Sequence, residues 1–342
     1  MTLIHDNRPL ALFLGATGGI GGAVARRLLD AGWAIGALTR DTDKASATER
    51  RFDWVKGDAM NAGDVLSAAA GASLVFHAVN PPGYRDWDKL VLPMLDNTIA
   101  AARAVGATIL LPGTVYNFGP DAFPVLYVDA PQNPVTRKGA IRVEMERRLE
   151  AAARQGTQTI IVRAGDFFGP AAGNNWFSQG LVTPGKPVTS VMSPGRSGVG
   201  HQWAYLPDVA ETMVRLVLKR EALPAFAVYH MEGFWDADGE GMVAAIRRAS
   251  GNRSLKVRHF PWWLVPFAAP FVPFLREVRE MRYLWRKALR MPNDRLVAVL
   301  GEEPHTPIDV AVHRTLESLG CLEQSSAVAP RQATQRAIGR SA

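Results

Sequence analysis

Cysteine is all but missing from this chain of 342 residues. Cys321 stands alone, so no intrachain disulfide can form, and a reducing cytoplasmic compartment is expected. The seven His are scattered singly, with no Cys/His pairs at zinc spacing, so no metal site is expected. Long apolar runs are also lacking. The richest, 260–275, is 16 residues long and is interrupted by Pro261, Pro266, Pro270 and Pro273, whereas a spanning helix needs about 20 apolar residues and tolerates prolines poorly. It reads as a buried or pocket-covering element, with peripheral membrane contact as the alternative, rather than a membrane span. The N-terminal stretch carries Asp6 and Arg8 and shows no signal-peptide pattern. Charge of one sign is scarce too: 39 Lys and Arg against 32 acids leave +7, and Arg331, Arg336 and Arg340 of that excess lie in an acid-free tail. So small a surplus gives no ground for a nucleic-acid partner.

What is present, 47% apolar and 21% charged residues with 31 Gly, describes a globular chain with one large domain or two unequal ones sharing a cleft. Short β-rich runs at 10–14, 34–39, 51–55, 74–78, 108–111 and 159–164 alternate with helix-like stretches. That pattern predicts an α/β fold, a Rossmann-type doubly wound parallel sheet with a smaller C-terminal substrate-binding region. Helices are expected at 20–31, 86–105, 138–155, 207–219 and 276–290 from apolar spacing and Pro placement. Residues 169–200 are Gly/Pro-rich and read as loops and short strands. The expected division assigns 1–168 with 204–232 to nucleotide binding and 169–203 with 233–321 to substrate. Residues 322–342 form a Ser/Ala/Gln/Arg-rich tail expected to be disordered.

The strongest chemical signal is Gly15-Ala16-Thr17-Gly18-Gly19-Ile20-Gly21, directly after the first strand and opening the first helix. Gly15, Gly18 and Gly21 permit a tight turn, close approach of backbone to a pyrophosphate and close packing of helix on strand, while the helix start offers free N–H groups. In the first βα unit this predicts a dinucleotide site. At the end of the second strand, where an NAD-preferring site places an acid for the ribose diol, stand Thr39 and Arg40. Arg40 suits a 2′-phosphate, so NADP is the expected cofactor. The alternative is NAD, with Arg40 idle and Asp41 reaching the ribose.

The Gly-x-x-Gly-x-x-Gly spacing resembles the extended short-chain dehydrogenase/reductases, in their NAD-dependent epimerase/dehydratase branch. Gly57-Asp58, Val162-Arg163-Ala164-Gly165-Asp166-Phe167-Phe168-Gly169-Pro170, Ala204-Tyr205-Leu206-Pro207-Asp208-Val209-Ala210, Leu300-Gly301 and 304–309 are similar to further segments of that branch. The resemblance implies that Asp58 meets the adenine and that Ala59, Ala78 and Asn80 complete the cofactor-facing set. It implies a catalytic hydroxyl at Thr114 and, on the helix from 138, Lys138 and Arg142 where the family has Tyr and Lys of a Tyr-x-x-x-Lys pair. The usual proton donor is thus missing, which leaves Tyr116 or Lys138 to handle the proton. The resemblance further implies a homodimer through the helices at 86–105 and 138–155. Nucleotide-sugar members hold a diphosphate with an Asn and an Arg where this chain has Asp166 and His201-Gln202. With Trp176, Phe177 and Trp203 nearby, Asp166 and His201 point to a small, partly hydrophobic substrate without a nucleotide. The expected activity is hydride transfer to or from such a carbonyl or alcohol. The alternatives are a non-catalytic NADP-sensing regulator and a sugar epimerase or dehydratase.

Overall fold

The protein is described here as a computed structural model, covering residues 8–81, 86–173, 175–268 and 279–322. The tail from 323 and the end of the apolar segment, 269–278, lie outside the described residues, so the expectation of a disordered tail is not addressed.

The first part of the chain runs β1 (Leu10–Leu14), α1 (Gly19–Asp30), β2 (Ala34–Thr39), α2 (Thr42–Thr48), β3 (Asp53–Lys56), α3 (Ala62–Ala68), β4 (Ala72–His77), α4 (Trp87–Val105), β5 (Thr108–Gly113), α5 (Arg137–Arg154) and β6 (Thr159–Arg163). Then follow β7 (Asp166–Phe168), β8 (Ser190–Ser193), β9 (His201–Tyr205), α6 (Leu206–Leu218), β10 (Phe226–His230), β11 (Phe234–Asp236), α7 (Gly241–Ser250) and β12 (Lys256–His259). The short turn of α8 (Val265–Ala268), α9 (Asp294–Leu300) and α10 (Ile308–Ser318) complete the described elements.

Seven parallel strands form the main sheet in the order β10-β6-β5-β4-β1-β2-β3. Its central strands are mostly apolar because both faces are covered, with Thr108 of β5 and His77 of β4 among the buried polar exceptions. In β1, for instance, Ala11 and Phe13 pack with α1 and α6, while Leu10, Leu12 and Leu14 pack with α3, α4 and α5. The order reverses between β1 and β4, and the crevice at the carboxyl ends of those strands is where such sheets take ligands. Beyond it, β11-β9-β7 and the pair β12-β8 build a smaller layer around Phe168, Phe177, Trp203, Tyr205 and Trp285.

Ties between the layers fix the crevice. Asp208, at the start of α6, accepts from the Thr306 amide and hydroxyl, both at 2.7 Å. Glu303 accepts from the amides of Glu232 at 2.8 Å and Gly233 at 2.7 Å. Leu296 of α9 packs beneath the main sheet, so this piece of 233–321 sits with the nucleotide-side core.

Two expectations are corrected. The helix predicted at 276–290 ends early: residues 279–280 are helical, and the chain then passes into a 3₁₀ turn at Met281–Trp285. Met281 and Leu284 pack into one apolar cluster and Trp285 into another, and Arg290 is held extended by backbone hydrogen bonds to Pro124 and Leu126. A continuous helix cannot serve both. The 260–275 segment is only partly a buried, pocket-covering element: Val265 is buried, yet Trp263 is 69% and Phe267 73% exposed.

Candidate active site

The glycine turn has the stereochemistry a pyrophosphate cradle requires. Gly15 sits at φ +103°, and a Cβ there would lie 2.7 Å from the Ala78 backbone at the end of β4. A Cβ on Gly21 would stand 2.1 Å from the Gly15 carbonyl, so α1 can pack this tightly on β1 only with glycine. Gly18 is the N-cap, donates its own N–H to Gly15 O at 3.0 Å, and provides no side-chain cap. The first N–H groups of α1 therefore have no side-chain acceptor and suit an anion. Gly19 has a reason the sequence did not disclose: a Cβ there would meet Ala172 O at 2.5 Å. It makes room for the loop after β7, where Ala171 adopts φ +54°. Thr17 is exposed and Ile20 half-buried in the same turn.

At the end of β2, Asp41 caps α2 by accepting from Lys44 N at 3.0 Å, and Thr39 accepts from Asp41 N at 3.3 Å. Arg40 is exposed and makes no ion pair among the described residues. Asp58 spends one carboxylate oxygen on the Met60 amide at 2.9 Å. Ala59 is buried, with its carbonyl accepting from Asn97 at 2.9 Å, and Ala78 and Asn80 flank the exit of β4. These residues fit an adenine dinucleotide with its pyrophosphate at the α1 N-terminus.

A cavity of about 330 Å³ opens beside the carboxyl ends of β5 and β6. Thr114, Tyr116 and Lys138 line one side of it, and Asp166, His201 and Trp176 are also in its wall. Lys138 reaches it because Gly139 lets the first turn of α5 press on the Tyr116 loop: a Cβ on Gly139 would stand 2.2 Å from Tyr116 O. Thr136 caps that turn, accepting from Gly139 N at 3.0 Å. Arg142, one turn on, does not line the cavity. Its guanidinium lies over the Trp87 ring, 5.2 Å from the centroid.

His201 Nε2 and Asp166 Oδ2 are 2.8 Å apart. The imidazole stacks on Trp285 with centroids 3.7 Å apart and planes 12° from parallel. Trp203 stands edge-on behind it at 5.0 Å, buried and outside the cavity wall. Trp176 touches Phe260, Trp262 and Trp285. Phe167, Met192, Phe260, Met281, Leu284 and Leu289 make the remaining wall chiefly apolar.

Sequence reasoning missed the polar network beneath Thr114. The Thr114 hydroxyl donates to Asn117 Oδ1 at 3.4 Å and accepts from Tyr116 N at 3.3 Å. Asn117 donates to Gln132, and Gln132 to Glu146. Glu146 receives both arms of the buried Arg163, at 3.0 and 2.5 Å. Arg163 Nη1 donates to Val128 O at 3.2 Å and to His230 Nε2 at 3.1 Å. Burial first, and then the neighbouring Arg163 cation, lower the His230 pKa to about 3. His230 therefore stays neutral and can accept. Arg163 appears in a segment matched to the family, but nothing in that segment says its charge is buried on Glu146.

Among the described residues no group of three or more His, Cys, Asp or Glu could hold a metal ion, and no helix is long and apolar enough to cross a membrane.

Comparison with known proteins bears out the nucleotide reading. Residues 15–174 match the family described as NAD(P)H-binding. A protein of Sinorhizobium fredii (strain NBRC 101917 / NGR234), named "Uncharacterized protein y4nL", is 28% identical over 191 residues, 50% of this chain and 54% of that protein. The chain thus spans about half the length of this curated relative. UDP-glucuronic acid 4-epimerase from Bacillus cereus, solved with NAD, has the same fold with TM-score 0.70 at 14% identity, over 92% of this chain and 100% of that one. For UDP-galactose 4-epimerase the TM-score is 0.65 at 15% identity, over 91% and 98%. Residues 15–174 thus match an NAD(P)H-binding family, and the chain shares the Rossmann-like fold of these epimerases.

Proposed function

We propose that this chain is an NADP-dependent oxidoreductase of the extended short-chain type, acting in the cytoplasm on a small, largely apolar carbonyl or alcohol that carries no nucleotide. The observation that carries this reading is the Asp166–His201 pair in a mostly apolar cavity. Asp166 bonds His201 rather than amides of its own loop. A carboxylate facing a diphosphate is repulsive, so a nucleotide sugar is disfavoured. NADP is favoured over NAD because Asp41 is occupied as a helix cap and Arg40 is left to meet a 2′-phosphate.

When bound, the cofactor supplies or accepts the hydride at the substrate carbon. The Thr114 hydroxyl and the Tyr116 and Lys138 side chains orient the substrate oxygen, and Tyr116 or Lys138 gives or takes its proton. Arg142 serves the cofactor side of α5. Asp166, His201, Trp176 and, from behind, Trp203 shape the substrate end. Lys138 in place of the family's Tyr also supports the second reading, a non-catalytic NADP sensor. The same account includes a homodimer through α4 and α5, as the resemblance implies.

A thermal-shift screen with NADPH present tests the substrate class. Stabilisation by aromatic or terpenoid-like aldehydes and ketones, with none from UDP- or GDP-sugars, is expected. Stabilisation by the sugars alone would overturn it. NADPH oxidation by a stabilising carbonyl compound separates the enzyme from the sensor.

A further inference from the structure

After β12 the chain turns outward at the rim of the cavity. Phe260 lines the cavity, and Trp262 is held by its indole N–H donating to Pro194 O at 2.8 Å. The next turn is closed by backbone bonds from Leu264 N to Pro261 O at 2.9 Å and from Phe267 N to Leu264 O at 3.1 Å. Val265 points inward and is 3% exposed, whereas Trp263, Leu264 and Phe267 are 69%, 43% and 73% exposed. Large apolar side chains scattered singly on a surface need no explanation. Three of them raised on one anchored turn, including an indole and a phenyl ring, do.

On the N-terminal flank of this turn the charge has one sign, whereas Glu280 accompanies Arg282 on the other. No Asp or Glu occurs from Gly251 through Leu275, while Arg253, Lys256 and Arg258 do, and all three are exposed. On the other flank, the Arg282 guanidinium lies over the Trp262 ring at 5.6 Å. Its pKa is lowered, by burial first and then by the nearby cations Arg286 and Arg196. None of these six cations makes an ion pair among the described residues. Elsewhere on the molecule exposed arginines are commonly paired, as in Arg137–Asp88, Arg154–Glu150, Arg248–Asp309 and Arg295–Asp129.

Aromatic and aliphatic side chains raised among unpaired cations match the interface of a bilayer with anionic headgroups. Indole and phenyl rings settle at headgroup level, and arginines and lysines meet lipid phosphates. A polypeptide partner would leave such a concentration of positive charge unmatched unless it were itself strongly acidic. We propose that the turn at 263–267, with its flanking cations, docks this protein on the surface of a membrane containing anionic lipid, as a peripheral contact that spans nothing. The inference does not depend on the identity of the substrate or on turnover.

Co-sedimentation of the full chain with vesicles of phosphatidylcholine alone and of phosphatidylcholine with phosphatidylglycerol tests it. Binding to the anionic vesicles is expected, stronger by about tenfold than to the neutral ones, and weakened as salt shortens the Debye length. The double variant Trp263→Ser/Phe267→Ser should lose about tenfold or more of that binding. The variant Arg253→Glu/Lys256→Glu/Arg258→Glu should lose the preference for anionic lipid. Retained NADPH affinity and melting temperature would show that the variants are folded. Failure of the wild type to bind the anionic vesicles, or equal binding by the Trp263/Phe267 variant, overturns the proposal. Light scattering that shows those substitutions converting a dimer to a monomer, with no vesicle binding, would assign the turn to a second copy of the chain instead.

Discussion

Single residues carry much of the argument, and they differ in how plainly their type announces their task. Arg40 is legible: a cation at the end of β2 is chemically distinct from the acid that an NAD site uses. Removing it in Arg40→Ala should weaken NADPH binding by about tenfold to a hundredfold and leave NADH nearly unchanged, since a charge-assisted hydrogen bond is worth roughly 1.5–3 kcal/mol. Calorimetric titration with both cofactors checks this, and equal wild-type affinities for the two would refute it. Gly139 is not legible, because its reason lies in a contact with the distant Tyr116 carbonyl. Ala in a helix ordinarily stabilises by about 0.5–1 kcal/mol over Gly. Here the clash wins, and Gly139→Ala should instead destabilise by about 1–3 kcal/mol, read as a lower midpoint in denaturant. A gain in stability would show that α5 and the Tyr116 loop can separate freely.

His77 adds a pH dependence. Thr98 gives its hydroxyl proton to Met94 O at 3.0 Å, so the 2.7 Å contact makes His77 Nδ1 the donor to Thr98. Its Nε2 is buried with no hydrogen-bond partner among the described residues, and burial, followed by the Arg142 cation, lowers its pKa to about 3. In the unfolded chain an imidazole takes a proton near pH 6.5, while native His77 and His230 remain neutral until about pH 3. The unfolded state therefore binds more protons in that window, and stability falls as pH drops through it. Thermal melts from about pH 7 to about pH 4.5 should show a decline that is shallower in His77→Leu. Parallel slopes would contradict the assignment.

At the scale of elements, the alternation of strands and helices through β6 was readable because both faces of a parallel sheet are buried, which yields short, mostly apolar runs. The edges of β3 and β4 shifted by a residue or two, as strand ends do when pairing rather than composition decides them. The region after β7 was harder. Its strands are three to five residues long, and Trp285, Met281 and Leu284 serve two different clusters, so no single period marks them. The Asn117–Gln132–Glu146–Arg163 network was hidden for a related reason: its members come from two loops, a helix and a strand, and only folding brings them together. It braces the turn bearing Thr114 against β6. Glu146→Gln leaves the Arg163 charge buried without its anion and should cost about 3–5 kcal/mol, seen as a fall in the unfolding midpoint. A change within about 0.5 kcal/mol, ordinary for a surface substitution, would mean that the network braces nothing.

For the whole molecule, the glycine turn, the sheet reversal and the cavity at the carboxyl ends of β5 and β6 lie along the same edge of the main sheet. In the function proposed above, the cofactor runs from Arg40 across the start of α1 toward Thr114. The glycine turn was legible because a tight βα turn constrains the backbone locally, and the reading of Arg40 rests on its charge alone. Of the cavity wall, the sequence pointed only to Asp166, His201 and Trp176 beyond the Thr114 loop and Lys138. The wall supplied by Phe260, Met281 and Leu289 arrives from segments more than 80 residues downstream of Trp176. A homodimer through α4 and α5 belongs to this scale as well, and light scattering at micromolar concentration should give twice the monomer mass. A clean monomer would remove it.

The account turns on where the nicotinamide ends, and a crystal structure of the chain grown with NADPH measures that directly. The expected result places the pyrophosphate on the N–H groups opening α1, the 2′-phosphate on Arg40, and the nicotinamide at the cavity beside Thr114, Tyr116 and Lys138, open toward Asp166 and His201. A cofactor whose nicotinamide lies away from that cavity, or one bound with Arg40 turned to solvent, would contradict it.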